Sequence, residues 1–519
     1  MPAPRIHTSE FPPVETPTTP IWQTVLAGAA DRGDHPALLD GVSGQTVSYA
    51  QLAHMVDRMA AGFAENGVRP GDVVALHSPN TVLYPVVFYA ASRAGATVTT
   101  LSALTTAKDM AVQLDDGKAT LVITVGALLP VATEAAGDRP VWTCDRVEGH
   151  RSVQELLAST GPAPEVAVDA AEDVAVLPYS SGTTSLPKGV MLTHASIGVN
   201  LAQIDALHTM GTGDRIVAVL PFFHIYGMTV LMNVALRKGA TVVVLPRFDL
   251  AQFIDVLEQH RITRAYVAPP VVLAMAKHPA FEGRDFSALT FILSAAAPLD
   301  AELGALAARR MGAELGQAYG MTELSPGTHL VPDGTAHDAP AGTIGKLFPS
   351  TEARLVDPGT GEDVGFGEPG EIWIRGPQRM KGYFGRQEET DTLIDADGWH
   401  VFQNGSSVVH LPTGRSLSTA LGANNVRAEA TADVDFSRSE QAAEIYKPNG
   451  SPDAASATIS DSQWSLVRLG GTRAQKPLSH QRSAPGLRGT RPEVLGLKNP
   501  VQIGMRHRPS NKLMRQSPA

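Results

Sequence analysis

The stretch YSSGTTSLPKGVMLTH, residues 179–194, is the part of the chain from which fold and chemistry are most directly predicted. It follows a short apolar run, residues 174–177, that predicts a buried strand, and residues 190–200 carry a weak helical pattern. We therefore expect a loop that leaves the end of a strand in an α/β region, where open sheets place ligands. The hydroxyl-bearing and glycine positions of this loop are Ser180, Ser181, Gly182, Thr183 and Thr184.

These small polar residues, and the lysine that follows them, suit a polyanion. Small side chains let the backbone approach phosphate oxygens, hydroxyl and N–H groups donate to them, and Lys188 supplies a point charge. The pattern predicts a phosphate-binding loop of an uncommon kind, because Pro187, Lys188 and Gly189 stand where GxxxxGK[ST] needs Gly-Lys-Ser/Thr. A solvated turn between two elements is the alternative interpretation.

Length and composition indicate a large globular protein. The chain has 519 residues, of which 43% are hydrophobic and 18% charged, and this is enough for several domains and a large core. The single cysteine, Cys144, is expected to be a buried core residue rather than a nucleophile. The start of the chain lacks a signal-peptide pattern and no run of about 18 apolar residues occurs, so we expect a cytoplasmic protein without a membrane span.

The hydrophobic pattern alternates between short strands and helices along most of the chain. Ser48 and Gln51 fit a capping box before an amphipathic helix. Strand–helix successions precede residue 178 and recur from residue 216 to residue 293, whereas residues 343–375 predict short strands around the turn DPGTG. We therefore predict an α/β fold with two doubly wound sheets and a small antiparallel β unit.

Three further stretches carry candidate chemistry: LPFFHIYG at residues 220–227, SAAAPL at 294–299 and GQAYGMTE at 316–323. A histidine at a strand end, as in the first, is more often a satisfied core residue than a catalyst. Small residues, as in the second, admit a flat group such as adenine, but ordinary helix–strand packing also uses them. In the third, Thr322 can donate to an α-phosphate and Glu323 can hold Mg²⁺ against phosphates, although a lone Thr-Glu pair is commonly a helix start.

Together these motifs resemble the adenylate-forming superfamily of acyl-CoA synthetases, luciferases and nonribosomal adenylation domains. The phrase LPYSSGTTSLPKGVMLTH, residues 177–194, is most similar to the hydroxycinnamate (4-coumarate) CoA ligase branch. Two phosphate-type motifs in the family's order, with Leu-Pro-x-x-His between them, argue against coincidence. One departure is Ser185, which stands where the family usually has glycine.

The resemblance implies ATP and coenzyme A as substrates, Mg²⁺ as the metal and a small-molecule carboxylic acid as the further partner. It implies catalytic roles, with Glu323 as the Mg²⁺ ligand, for Thr184, Lys188, His224, Thr322 and Glu323. It implies ATP or AMP contacts at Ser180, Ser181, Gly182, Thr183, Thr184, Lys188, Ala296, Gln317, Ala318, Tyr319 and Thr322. It implies an acyl pocket formed by Tyr226, Val230, Leu293, Gly320 and Leu330. Arg247 matches a residue that meets the CoA phosphates, with a solvated surface arginine as the alternative.

The resemblance covers residues 11–399 and then stops. The family continues with LHTGD, a hinge arginine and a late catalytic lysine, whereas this chain reads HVFQNGSSVVH after Trp399. Residues 1–399 carry 27 Lys and Arg against 44 Asp and Glu, while residues 400–519 carry 15 against 8. We predict an adenylation domain at residues 1–399 and hypothesise that residues 400–519 are a basic tail of unrelated or out-of-frame sequence.

A genuine basic tail for nucleic acid or an acidic partner is the weaker alternative, since residues 400–519 show neither a stacking motif nor a regular basic stripe. No nucleic-acid partner is therefore expected.

By resemblance, the chain is expected to be an ATP-dependent ligase that converts an aryl carboxylate, such as 4-coumarate or cinnamate, to acyl-AMP and then to acyl-CoA. Two alternatives stay open. One is an inactive or impaired protein that binds ATP and acid but lacks the late lysine. The other is a fatty acyl-CoA or acyl-AMP ligase with a different pocket.

Overall fold

The computed structural model describes residues 5–180, 187–340, 342–365, 368–401, 407–413 and 416–421. Nearly all of the predicted tail falls outside these ranges. So do four of the predicted nucleotide contacts, Ser181, Gly182, Thr183 and Thr184.

The α-helices of the described ranges flank the strands in the predicted alternation. They are α1 (Ile21–Leu26), α2 (Ala29–Arg32), α3 (Tyr49–Glu65), α4 (Tyr84–Arg93), α5 (Ala107–Asp116), α6 (Leu129–Ala136), α7 (His194–Asp205), α8 (Ala235–Lys238), α9 (Leu250–Gln259), α10 (Pro269–Lys277), α11 (Ala301–Met311) and α12 (Gln387–Leu393). A π-helix covers Gly227–Val234, and 3₁₀ turns cover Gly126–Leu128, Val153–Ala158, Pro279–Phe281 and Thr322–Leu324.

The strands are short and form three sheets. They are β1 (His7–Thr8), β2 (Pro36–Asp40), β3 (Thr46–Ser48), β4 (Val73–His77), β5 (Thr97–Leu101), β6 (Leu121–Thr124), β7 (Val141–Thr143), β8 (Val174–Leu177), β9 (Tyr179–Ser180), β10 (Lys188–Thr193), β11 (Arg215–Ala218), β12 (Thr241–Val244), β13 (Arg264–Val267), β14 (Phe291–Ser294), β15 (Glu314–Gly320), β16 (Gly327–Leu330), β17 (Lys346–Leu347), β18 (Glu352–Val356), β19 (Pro369–Arg375), β20 (Gly382–Tyr383), β21 (His400–Val401), β22 (Ser407–Thr413) and β23 (Ser416–Leu421).

The first sheet has eight strands in the order β20-β10-β8-β5-β4-β6-β7, with β9 also paired to β10. The strands from β8 to β7 in this order run parallel, as expected for strands joined by helical crossovers. In contrast, β10 is antiparallel to both β8 and β20. The strand that begins at Lys188 therefore lies next to the edge of this sheet.

The second sheet has nine strands in the order β17-β16-β15-β14-β13-β11-β12-β2-β3. Its strands from β15 to β2 run parallel, so the carboxyl ends of β14 and β15 meet at one edge. That edge of an open α/β sheet is the usual place for a ligand.

The third sheet is small and antiparallel, with the order β1-β18-β19-β22-β23 and with β21 also paired to β19. Its presence beside two sheets built mainly from parallel strands confirms the predicted fold class. The backbone of β22 and β23 continues this sheet beyond residue 399.

The helical pattern expected at residues 190–200 is wrong in its first part. Residues 188–193 form β10, and α7 begins only at His194, after Thr193 caps it by accepting a hydrogen bond from the backbone N–H of Ser196. The run Val190-Met191-Leu192 extends because β8 and β20 offer backbone partners on both sides. The predicted phosphate loop therefore connects strands, rather than a strand to a helix.

Two further predictions, the capping box and the buried cysteine, are confirmed. The Ser48 hydroxyl accepts from the backbone N–H of Gln51, and the Gln51 side chain accepts from the backbone N–H of Ser48, which completes the capping box of α3. Cys144 is 4% exposed, and burial raises the pKa of its thiol to about 12, so it is a packed core residue. Within the described ranges, no helix is long and apolar enough to cross a membrane.

Candidate functional site

Lys188 stands where the predicted phosphate loop re-enters the sheet. It is the first residue of β10 and lies opposite Ser180 in the antiparallel pair of β9 and β10. Its side chain is 18% exposed and forms an ion pair with Glu389 of α12. The ammonium nitrogen lies 5.0 Å from the centre of the Tyr383 ring, which is a cation–π distance. The charge of Lys188 is thus held at the mouth of the loop.

Glu323 belongs to the second phosphate-type motif and reaches the same place. It lies on the 3₁₀ turn that follows β15, and it is 8% exposed. The hydroxyl of Tyr383 donates a hydrogen bond of 2.8 Å to Glu323 Oε1. Burial and the Glu323 carboxylate together raise the pKa of Tyr383 well above its ordinary value, which keeps the phenol protonated as a donor.

Tyr383 therefore joins the two motifs, with its ring against Lys188 and its hydroxyl on Glu323. It lies on β20, which pairs with β10 through Val190. A cation and a carboxylate around one tyrosine form a cradle suited to a metal–polyphosphate group, since the two charges can contact phosphate oxygens and a metal respectively.

His224 is placed by a tight turn between β11 and the π-helix. Its Nδ1 accepts a hydrogen bond of 3.2 Å from the backbone N–H of Tyr226, which fixes the ring. The side chain is exposed to solvent, and yet the surrounding protein desolvates it and lowers the pKa of the imidazole. With its pKa lowered in this way, the imidazole is neutral at pH 7.

Asn80 supports the His224 turn from the end of β4. Its Nδ2 donates to the carbonyl oxygens of Ala218 and Leu220 at 3.2 and 2.9 Å, and its Oδ1 accepts from the backbone N–H of Phe222 at 2.7 Å. Asn80 is 3% exposed, so water cannot replace these bonds. Gly227 closes the same turn, because a Cβ there would lie 2.1 Å from the carbonyl oxygen of Pro221.

Asn80→Ala is expected to lower the free energy of unfolding by about 3 kcal/mol, since the three buried hydrogen bonds that Asn80 makes to the backbone are lost. Urea denaturation of the purified protein measures this loss. Asn66→Ala, at the exposed end of α3, is the matched control and should cost less than about 1 kcal/mol. An equal loss in both variants would contradict the role given to Asn80.

The predicted acyl residues lie on neighbouring elements. The hydroxyl of Tyr226 donates to the carbonyl oxygen of Leu293 at 3.4 Å, and Val230 lies one turn further along the π-helix. Leu330 of β16 pairs with Ala318 of β15, and both Leu293 and Leu330 are 2% exposed. The hydroxyl of Thr229 donates to the carbonyl oxygen of Ser325, which ties the π-helix to the turn that carries Glu323.

The remaining predicted nucleotide residues gather at the carboxyl ends of β14 and β15. Ser294 pairs with Gln317, so Ala296 follows β14 beside the strand that carries Ala318 and Tyr319. Ala296 is exposed and has a φ of 75°, which is a left-handed conformation. Thr322 and Gly320 continue the same edge toward Glu323.

Arg247, the predicted CoA contact, is exposed beyond the end of β12. In the part of the chain that the structure describes, no hydrogen bond or ion pair joins it to Lys188 or Glu323, so its role stays a prediction.

A magnesium ion fits the residues present as part of an ATP complex. Within the described ranges, no group of three His, Cys, Asp or Glu side chains could hold a metal by itself. Mg²⁺ commonly uses one or two carboxylates together with substrate phosphates, and the buried Glu323 carboxylate offers such a ligand.

Four residues of this site were not assigned a role from the sequence: Asn80, Tyr383, Arg386 and Glu389. Tyr383 stands in the segment Met380-Lys381-Gly382-Tyr383, which matches the family, so its position was a usable signal. Asn80 follows a buried strand in Ser78-Pro79-Asn80, where sheet edges carry functional groups. Arg386 and Glu389 lie in an ordinary charged run, and nothing in their pattern singles them out.

Comparison with known proteins identifies the family of this chain. Residues 26–384 match the family described as AMP-binding enzyme. A second family, described as flagellar M-ring protein C-terminal, matches residues 417–498, which is less than a fifth of the chain. The rice protein 4-coumarate–CoA ligase 5 is 38% identical over 404 residues, which is 76% of this chain and 75% of that protein.

Solved structures agree with this match. A long-chain-fatty-acid–CoA ligase from Archaeoglobus fulgidus is 25% identical with a TM-score of 0.72, over 79% of this chain and 85% of that one. ATP-bound MatB from Rhodopseudomonas palustris is 26% identical with a TM-score of 0.69, over 79% of this chain and 80% of that one. The chain therefore belongs to the AMP-binding enzyme family and, within it, to the ATP-dependent acid–CoA ligases, which act on a small-molecule acid, ATP and CoA.

Proposed function

We propose that the chain activates an aryl carboxylic acid of the 4-coumarate or cinnamate class, first to acyl-AMP and then to acyl-CoA. The observation that supports it most is the cradle of Lys188, Tyr383 and Glu323, which brings both phosphate-type motifs to one place. The aryl class is supported by the names of the relatives, which include several 4-coumarate–CoA ligases of rice and parsley.

In the first step, an oxygen of the carboxylate attacks the α-phosphorus of ATP, and the bond to the β-phosphate breaks to release pyrophosphate. Negative charge develops on phosphate oxygens, so preorganised donors and cations accelerate this step without covalent catalysis. Lys188 and Thr322 would supply such groups, together with the loop hydroxyls Ser180, Ser181, Thr183 and Thr184. The neutral His224 would orient the carboxylate through a hydrogen bond, because its other nitrogen is occupied by the Tyr226 backbone.

In the second step, the CoA thiolate attacks the acyl carbon, and the bond to AMP breaks. Arg247 would contact CoA phosphates from its exposed position. Bound Mg²⁺ would neutralise phosphate charge, and Glu323 is the residue that would hold it.

The buried acyl residues support a compact, flat acid. The hydroxyl of Tyr226 donates to the Leu293 carbonyl, and Val230 and Leu330 are buried apolar residues that would line the pocket of an aromatic ring. An apolar wall of this kind stabilises an aryl group by area burial, and its fixed positions would limit a long flexible chain.

A panel of cinnamic, benzoic and fatty acids tests the substrate class. With ATP, Mg²⁺ and CoA, thioester formation should show kcat/KM for a hydroxycinnamic acid at least about tenfold above that for a long-chain fatty acid. A preference for the fatty acids would replace the aryl assignment by a fatty acyl-CoA or acyl-AMP ligase, with the same fold.

A second candidate is a protein that binds ATP and acid without turnover. It is favoured by HVFQNG after Trp399 in place of LHTGD, and by the absence from this sequence of the family's hinge and late-lysine motifs. We propose accordingly that residues 400–519 are not the family's small domain. ATP binding in the absence of any pyrophosphate release would select this candidate. A cytoplasmic setting is part of the proposal, supported by the single buried Cys144.

A further inference from the structure

The cation at the mouth of the phosphate loop already has an anionic partner. Lys188 forms its ion pair with Glu389 Oε2, and the side chains of the two residues are 18% and 37% exposed. Lys188 holds the pKa of the Glu389 carboxyl below its ordinary value, so the carboxylate is charged at pH 7. A polyphosphate that uses Lys188 must compete with this carboxylate.

Glu389 also has a second cation within reach. Its Oε1 lies 3.4 Å from Nη1 of Arg386, and Nη2 of the same arginine lies 3.0 Å from Asp116 Oδ1. Asp116 in turn accepts a hydrogen bond of 2.8 Å from the hydroxyl of Tyr179. Three ion pairs and one hydrogen bond therefore connect Lys188, which follows the loop, with Tyr179, which precedes it.

The positions of Lys188, Glu389 and Arg386 determine how their ion pairs change when a phosphate binds Lys188. A carboxylate beside a polyphosphate is repelled, and Lys188 cannot serve both anions with full strength. Glu389 can retain a partner, because Arg386 is anchored by Asp116 and stays in place. The exchange thus moves one ion pair without leaving an unpaired charge.

We propose that Glu389 is a positioning residue for the nucleotide: it is the counter-ion that Lys188 exchanges for a phosphate of ATP, with Arg386 receiving Glu389. The inference rests on the proposed function, since it assumes that Lys188 contacts ATP. It assigns to Glu389 a restraint on ATP affinity, because a phosphate of ATP must displace this carboxylate from Lys188.

Glu389→Gln tests this in the full chain, because it removes the charge and keeps the shape. ATP affinity, measured by calorimetry without acid or CoA, should rise about two- to fivefold, as expected for loss of a partly exposed ion pair. Glu388→Gln is the matched control: Glu388 is exposed, lies in the same first turn of α12 and makes no ion pair among the described residues. Its ATP affinity should stay at the wild-type value.

Steady-state kinetics give a second readout that a merely structural role would not produce. In Glu389→Gln the KM for ATP should fall while kcat is maintained, and the difference from wild type should shrink between about 50 mM and 500 mM salt, because salt screens the exposed pair. Should Glu389→Gln fail to fold, Glu389→Asp, which shortens the reach to Lys188, should also lower the KM for ATP.

Weaker or unchanged ATP binding in Glu389→Gln, relative to Glu388→Gln, overturns the exchange. That failure differs from a failure of the premise that Lys188 contacts ATP, in which Lys188→Ala would bind ATP as wild type does. If Lys188→Ala loses ATP binding and Glu389→Gln gains none, Lys188 keeps its role and Glu389 loses its own.

Discussion

Lys188→Ala is expected to lower acid-dependent pyrophosphate release at least about 100-fold, to the background of the assay. Lys188 lies where the chain leaves the predicted phosphate loop, and its ammonium contacts the Glu389 carboxylate and the ring of Tyr383. Charge that develops on phosphate oxygens would lose this fixed partner, and water would stabilise it less well than a preorganised cation. Release of pyrophosphate from ATP, followed with a coupled assay, measures the effect.

Lys381→Ala is the matched control for that experiment. Lys381 also forms an ion pair, with Glu172 at 2.9 Å, and its backbone N–H donates to Met191 of β10. It lies beside the same strand as Lys188 but pairs at the surface, so its loss should change the rate less than about threefold. Wild-type rates in Lys188→Ala would remove this residue from the site.

Glu323→Ala is the second large effect, and the rate is again expected to fall at least about 100-fold. The carboxylate is 8% exposed and accepts the hydrogen bond of Tyr383, so its position in the site is fixed. A bound Mg²⁺ would need an oxygen ligand there, and alanine supplies none. The apparent Mg²⁺ requirement should shift to higher concentration, which a magnesium titration of the rate measures.

Glu323→Gln distinguishes an effect on the reaction rate from an effect on the stability of the fold. Glutamine keeps an oxygen that accepts from Tyr383, so the thermal unfolding midpoint should stay near that of wild type while the rate falls as in Glu323→Ala. A glutamine variant with the wild-type rate and magnesium dependence would contradict the assignment of Glu323 as the metal ligand.

Local chemistry made much of the fold predictable. The capping box of Ser48 and Gln51 involves residues three apart, and its two hydrogen bonds depend only on the start of α3. The alternation of strands and helices likewise follows from short-range periodicity. The helical pattern was wrong where β10 forms. Val190 pairs with Tyr383, almost two hundred residues later, and no local pattern reveals such a partner.

The candidate site shows the same division. Lys188 and Glu323 were singled out because each stands in a motif that suits a phosphate or its metal, and because the order of these motifs resembles that of the family. The contact of both residues with Tyr383 was not predictable, because that tyrosine belongs to a third segment of the chain. Its ring contacts Lys188, and its hydroxyl donates a hydrogen bond to Glu323. Glu389 was missed because a carboxylate on a short charged helix has no signal until its partner is known.

Acid-dependent release of pyrophosphate from ATP by the purified full chain is the most direct test of the central claim. The assay compares cinnamic, benzoic and fatty acids, with and without CoA, and measures ATP binding in parallel. The account predicts release that depends on an aryl acid, with a thioester product when CoA is present. Absence of release with every acid, together with retained ATP binding, would contradict it and leave a ligand-binding protein with a ligase fold.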